Sequence, residues 1–310
     1  MKTLDVVGLG LATLDILTLT PRLPRSNECF PIDHIEMQGG GPVATALVAL
    51  ARLGASCAYL GVAAPDQSGR QIVAELEQYR VDVTSVVQRA HGASSASVIL
   101  VERDSGHRAI LFREGTAPDL HPHEVPQELI TSARALHLDG FALPAAVKAA
   151  QLARESATLV SFDGGAGERM LDGLGQLLPL VDVMVLARQF ALNLCGYAQP
   201  IEACQAILNQ YHPRQVVITD GERGCWYADD TTQIHQPAYP VAVVDSTGAG
   251  DTFHGAYLFA CLQLAWTPSF RLKFASAVAA LKCTQLGGRT GIPTYDQTME
   301  FLSTRGEELL

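Results

Sequence analysis

The sequence predicts an α/β fold: a mainly parallel sheet flanked by helices, a Rossmann-like three-layer core, with a small second β-sheet beside it. Two observations predict the core. Short β-branched runs alternate with longer helical patterns, which argues for βαβ units and a parallel sheet. Runs such as Val181-Asp-Val-Met-Val-Leu186 are continuous rather than alternating, as strands covered on both faces require. A third observation predicts the small sheet, because two stretches leave this rhythm and read as extended hairpins. Hydrophobic residues fill 48% of the 310 positions, enough for a sizeable core without staples, and the whole chain reads as one domain.

The core elements follow in order. Strands are expected at residues 4–8, 57–62, 135–139, 158–163, 181–186 and 215–219. Helices are expected between them at 43–53, 70–79, 145–155 and 200–211. The first helix consists of small and aliphatic residues and is followed by Gly54, a C-terminal cap. The last third returns to helices at 252–262 and 270–284, rich in Ala and packed on the sheet. Residues 16–37 hold two extended segments around Pro21, Pro24 and Pro31. Residues 96–101 and 108–112 form a hairpin around Asp104-Ser-Gly106. Two readings stand for residues 15–38 and 95–114: one small sheet inserted in the core, or two ordinary surface hairpins.

The charge balance excludes some partners. A net charge of −10 argues against nucleic acid and against an anionic membrane, although a local nest of N–H groups still binds a phosphate. The seven cysteines are scattered without Cys-x-x-Cys spacing, so buried free thiols in a reducing cytoplasm are expected. The N-terminus carries Asp5 and Asp15 and does not read as a signal peptide. No stretch approaches about 18 uninterrupted apolar residues, so no membrane span is expected.

The chemistry concentrates in Asp245-Ser-Thr-Gly-Ala-Gly-Asp251-Thr-Phe-His-Gly-Ala256. Gly248, Ala249 and Gly250 stand at a helix start, where backbone N–H groups and the helix dipole favour an anion. Asp251 follows directly and is placed to take a proton from a hydroxyl beside that anion. A nest with an adjacent base suits phosphoryl transfer to an alcohol. A plain strand-to-helix turn is the alternative for this stretch taken alone. Its pattern resembles the C-terminal signature of the ribokinase/PfkB carbohydrate kinases, DTTGAGDxFxxG, with Ser246 in place of the second Thr.

A second segment, Gly39-Gly-Gly-Pro-Val-Ala-Thr45, enters the Ala-rich helix. Glycines supply unusual backbone angles and close packing there. The segment resembles the family's other signature, GGxxAN, with Thr45 at the Asn position. The resemblance implies that Gly40 and Gly41 approach a sugar and that Thr45 and Asp15 hold its hydroxyls. A carboxylate suits vicinal hydroxyls because each oxygen accepts a hydrogen bond. It also implies that the small sheet is a lid over the sugar. Gly8-Leu-Gly10 is not a dinucleotide fingerprint: Thr13 stands at the third glycine position and an extended segment follows.

On the nucleotide side, Val217-Ile-Thr-Asp-Gly-Glu-Arg-Gly-Cys225 reads alone as a hairpin turn. Its resemblance to the family's V-T-x-G-x-x-G implies that Thr219, Gly221 and Gly224 meet ATP. Two departures bear on Mg²⁺. The family's N-x-x-E is Ala187-Arg-Gln-Phe190 here, and its D-x-N-x-R keeps only Asp163, a weak metal candidate. The resemblance further implies a monovalent-cation loop, for K⁺, around Asp245, Thr247 and Gly287. Near its end the chain looks most similar to the sulfofructose kinases, through residues 274–284, 287–293 and 296–298. Cys29 stands where a sulfonate-binding lysine is expected, with Arg25, Arg103, His107, Arg108 and Arg113 as substitutes, which ranks a neutral ketose slightly above a sulfosugar. The expectation is an ATP-dependent sugar kinase, paired as a homodimer through the lid. A nucleoside kinase, a sugar- or nucleotide-binding regulator and, more distantly, an NAD oxidoreductase stand as alternatives.

Overall fold

The computed structural model describes residues 2–29, 32, 34–104, 106–165 and 173–307. In chain order its strands are β1 (Leu4–Leu9), β2 (Thr13–Thr20), β3 (Ile35–Gly40), β4 (Cys57–Leu60), β5 (Val62–Ala63), β6 (Val87–Gln88), β7 (Ala96–Glu102), β8 (Arg108–Arg113), β9 (Ala133–Leu138), β10 (Leu159–Gly164), β11 (Val183–Ala187), β12 (Gln215–Thr219), β13 (Cys225–Ala228) and β14 (Gln233–Gln236). Its helices are α1 (Pro42–Arg52), α2 (Gln67–Gln78), α3 (Gln127–Ser132), α4 (Leu143–Glu155), α5 (Arg188–Cys195), α6 (Pro200–Tyr211), α7 (Ala249–Cys261), α8 (Pro268–Lys282) and α9 (Tyr295–Thr304).

The central sheet runs β4-β1-β9-β10-β11-β12-β13-β14. Neighbours from β4 to β12 are parallel, and β13 and β14 close one edge as an antiparallel hairpin. The continuous apolar runs are explained by burial on both faces. Val6, Ala135, Val183, Val185 and Val217 pack with α1, α7 and α8, while Val7, Leu136, Met184, Val216 and Ile218 pack with α4 and α6. Alternate residues of one strand thus serve two cores.

Helix starts follow local chemistry. Asp66 caps α2 by accepting from Gly69 N at 2.7 Å, and its carboxylate also takes Ser94 N at 2.9 Å. Thr267 and Thr294 cap α8 and α9, the latter in a reciprocal box with Gln297. The expected strand at 57–62 is broken at Gly61, where a side chain would overlap the Tyr59 ring. Beyond it, β5 leaves the main sheet and pairs with β6. Helices α3, α5 and α9 and strands β13 and β14 were not expected. They are short, and α5 buries only Phe190 and Ala191, too few positions to show a helical period.

The small sheet has the order β3-β2-β7-β8. Parallel pairing of β2 with β7 joins the two hairpins. Strand β2 begins at Thr13 and β3 continues to Gly40, so this sheet runs directly into the glycine segment. Asp15, Leu17, Gln38, Ser97, Ile99 and Val101 are buried on its inner face. The register puts Ile16, Met37, Val98 and Leu111 together on the other face, where Met37, Val98 and Leu111 are exposed. Pro31, Ser105 and residues 166–167 of the Asp163 segment lie outside the described residues. Among the described residues no helix is long and apolar enough to cross a membrane.

Candidate active site

β1 lies between β4 and β9 in the sheet: the chain next adds β4 on one side of β1 and later returns to add β9 on the other. Open α/β sheets hold ligands at such a switch point, beyond the carboxyl ends of the strands. Gly10, Asp139 and Asp163 stand there, at or just past the ends of β1, β9 and β10. Gly10 is glycine because a side chain would overlap the Asp139 carboxylate. Asp139 is fully buried and accepts from Leu11 N at 2.8 Å and Phe141 N at 3.0 Å, which fixes both loop backbones. Burial pushes its carboxyl up to about 6.

Helix α7 starts at this end. Gly248 is its cap in the left-handed conformation (φ 71°), and a side chain there would meet Gly288 O at 2.6 Å. The Ala249 N–H donates back to Ser246 O at 3.2 Å. Nothing lies within 4 Å of the position a Gly250 side chain would take, so the helix start opens onto free space. Asp251 sits half-buried in the first turn. Burial raises its carboxyl above the ordinary range; Arg108, Arg289 and Lys282 oppose the rise and Asp15 adds to it. Residues from β2, β8, α8 and the 287–291 loop therefore bear on one carboxylate.

Asp15 comes from β2. It is buried, accepts from Thr13 Oγ1 at 2.7 Å, and lies opposite Gln38 in the register. Burial pushes its carboxyl up, against hydrogen bonds from Thr13 and Ser97. A side chain at Gly40 would overlap this carboxylate, which explains the glycine. Gly41 caps α1 at φ 91°, a conformation that suits glycine.

Behind this turn lies Arg289, with a fully buried guanidinium. It donates to Thr45 Oγ1 at 3.2 Å, Glu75 Oε1 at 3.1 Å and Gly40 O at 2.9 Å. Glu75 also accepts from Gly39 N. Thr45 is 1% exposed, so its hydroxyl oxygen is engaged from behind by Arg289. The Arg289–Glu75 pair was missed from sequence. Its signal was a charge inside the glycine-rich 287–291 run.

Beneath Asp251, His254 Nε2 lies 3.2 Å from Asp163 Oδ1, both fully buried or nearly so. Burial pushes the Asp163 carboxyl up and the His254 imidazole down. Asp163 Oδ1 thus faces an imidazole, while its buried Oδ2 has no hydrogen-bond partner among the described residues. Among the described residues no group of three or more His, Cys, Asp and Glu could hold a metal ion.

Thr219 ends β12 and Gly221 follows at φ 55° with open space around it. Gly224 has a different duty: a side chain there would overlap Gln236 O across the β13–β14 hairpin. Arg188 joins α5 to this turn through Asp220 at 3.6 Å. Arg108 of β8 donates to Ser246 Oγ at 2.9 Å and so ties the small sheet to the α7 entry loop. Ser246, the one departure within the signature, is the acceptor.

Residues 3–295 match the family described as pfkB family carbohydrate kinase. The chain belongs to the pfkB family of carbohydrate kinases. It is similar to mouse ketohexokinase, 26% identical over 294 residues, with 91% of this chain and 97% of that protein covered. It is also similar to rice fructokinase-1, 28% identical over 295 residues, with coverage of 87% and 90%. Among solved structures, fructokinase with bound ATP from Xylella fastidiosa superposes with a TM-score of 0.82 at 21% identity, covering 99% of this chain and 100% of that one. The fold is ribokinase-like and the protein is an ATP-dependent carbohydrate kinase.

Proposed function

We propose that this pfkB kinase transfers the γ-phosphoryl of ATP to a primary hydroxyl of a ketose-type sugar or sugar derivative, fructose- or sulfofructose-like. The observation that carries this reading is Asp251: a carboxylate in the first turn of α7, beside open space at Gly250, within electrostatic reach of Asp15. Asp15, the Gly40–Gly41 turn and Thr45 form the sugar side, and Gln38 joins them, its buried Nε2 lacking a partner among the described residues. Thr219 and Gly221 form the nucleotide side.

The sugar oxygen attacks the γ-phosphorus, the bond to the β-phosphate oxygen breaks, ADP leaves, and the hydroxyl proton passes to Asp251. A raised carboxyl makes Asp251 a better acceptor than an ordinary aspartate. N–H groups at the start of α7, Gly250 foremost, face the transferring phosphoryl. An Mg²⁺ arriving on the nucleotide would neutralise phosphate charge. The small sheet acts as a lid that excludes water and so suppresses ATP hydrolysis.

The relatives named ketohexokinase and fructokinase support a ketose. A relative named ATP-dependent ribose-1-phosphate kinase, 28% identical, supports including anionic sugars. We also propose that two copies pair through the exposed apolar face of the small sheet, and that the free cysteines reflect a reducing cytoplasm. The test of substrate is ADP release against fructose, sulfofructose, ribose, sugar phosphates and adenosine. A ketose as the best substrate supports the reading. Preference for adenosine overturns it in favour of a nucleoside kinase.

A further inference from the structure

Lys282 is fully buried at the end of α8, a helix whose other buried residues are Phe, Leu, Ala, Val and one Ser. Its ammonium donates to the Asp245 carbonyl oxygen at 2.9 Å. The Asp245 carboxylate is occupied as well: Oδ1 accepts from Thr247 N and Oδ2 from Gly287 N, each at 2.8 Å. Gly288 packs against Gly248 backbone to backbone. Asp245, Thr247 and Gly287 are the residues that the family resemblance assigned to a monovalent cation. Asp245 does not fit one here: a side-chain ammonium already sits on its carbonyl, and each of its carboxylate oxygens takes a backbone N–H.

We propose that the Lys282 ammonium is the resident cation of this loop, so that nucleotide binding and phosphoryl transfer in this kinase are independent of K⁺. Burying an ammonium is costly unless its charge is used. Here it lies under the entry to α7, where positive charge adds to the helix dipole facing the phosphates. It also fixes the carbonyl three residues before the Gly248 cap, and so the direction of the N–H groups that follow. The inference rests on the active-site reading above.

The experiment measures affinity for MgADP by calorimetry, without any sugar, in about 0.1 M KCl and in choline chloride at equal ionic strength. The wild type is expected to bind equally in both salts, within about two-fold. Lys282→Met is expected to lose roughly ten-fold in choline and to regain most of it in KCl. Tightening of the wild type by KCl of about five-fold or more overturns the proposal. So does a folded Lys282→Met that binds like the wild type in choline, or whose loss KCl does not restore. If that variant fails to fold, the salt exchange on the wild type decides alone. A wrong choice of sugar leaves this measurement standing, whereas absence of MgADP binding in either salt sinks the kinase reading itself.

Discussion

Replacing Arg289 by Met tests how the sugar side is held. The substitution keeps a long apolar stem and deletes a fully buried guanidinium with three hydrogen-bond partners, Thr45, Glu75 and Gly40. Glu75 is then left with the Gly39 N–H and no counter-charge. Breaking a buried ion pair by removing one partner costs about 3–5 kcal/mol; Glu75 is 15% exposed and keeps part of its hydration, which puts this case near the lower figure. At this chain length, roughly 2 °C per kcal/mol gives a fall in Tm of about 6 °C. The local effect adds to the global one. Gly40 O and the Thr45 hydroxyl lose their charge-assisted donor, so the turn facing the sugar loses its fixed geometry. The KM for sugar is expected to rise about ten-fold while the KM for ATP moves less than about two-fold. The assays are differential scanning calorimetry and initial rates with each substrate varied in turn. A Tm within about 2 °C of wild type together with an unchanged sugar KM refutes the reasoning.

Three further predictions extend to other parts of the molecule. Gly40→Ala forces the Asp15 carboxylate aside and is expected to raise sugar KM by about ten-fold with ATP KM unchanged; equal effects on both would place Gly40 outside the sugar side. Asp139 has a folded pKa raised to about 6 by burial, so it favours folding below the unfolded value near 4 and loses that contribution as pH rises through 6. Asp139→Asn removes this slope: its stability relative to wild type is expected to improve by about 2 kcal/mol between pH 4 and pH 7 in urea unfolding, and parallel curves contradict the assignment. Leu111→Arg places a charge on the exposed apolar face of the small sheet and is expected to halve the mass seen by light scattering; a wild type that is already monomeric removes the dimer proposal.

The fold was readable because the two faces of each core strand are both apolar, so periodicity and composition agree. The small sheet was readable in its strands but not in its pairing. The parallel contact of β2 with β7 joins residues far apart in sequence, and no local pattern encodes it. The site divides along the same line. Asp251, Gly248 and Asp15 sit in short motifs whose local shape is their function. Arg289, Glu75, Lys282 and Arg108 act across elements, and their partners lie 138 or more residues away for Arg108 and 37 for Lys282. A lone charge within an apolar helix marks Lys282 and one within a glycine run marks Arg289, whereas Arg108 sits in a strand and Glu75 in a polar helix. Thr45 shows the limit of motif transfer: the position is kept, yet its hydroxyl oxygen is turned to Arg289.

The central claim is that Asp251 takes the proton in transfer from ATP to a sugar hydroxyl. Substrate-dependent ADP release by Asp251→Asn, measured with the best sugar from the panel, tests it most directly. The account predicts a fall in kcat of about 10²–10⁴-fold with sugar and MgADP affinities held within a few-fold, since geometry is kept and only the base is lost. A variant that turns over at near the wild-type rate contradicts it.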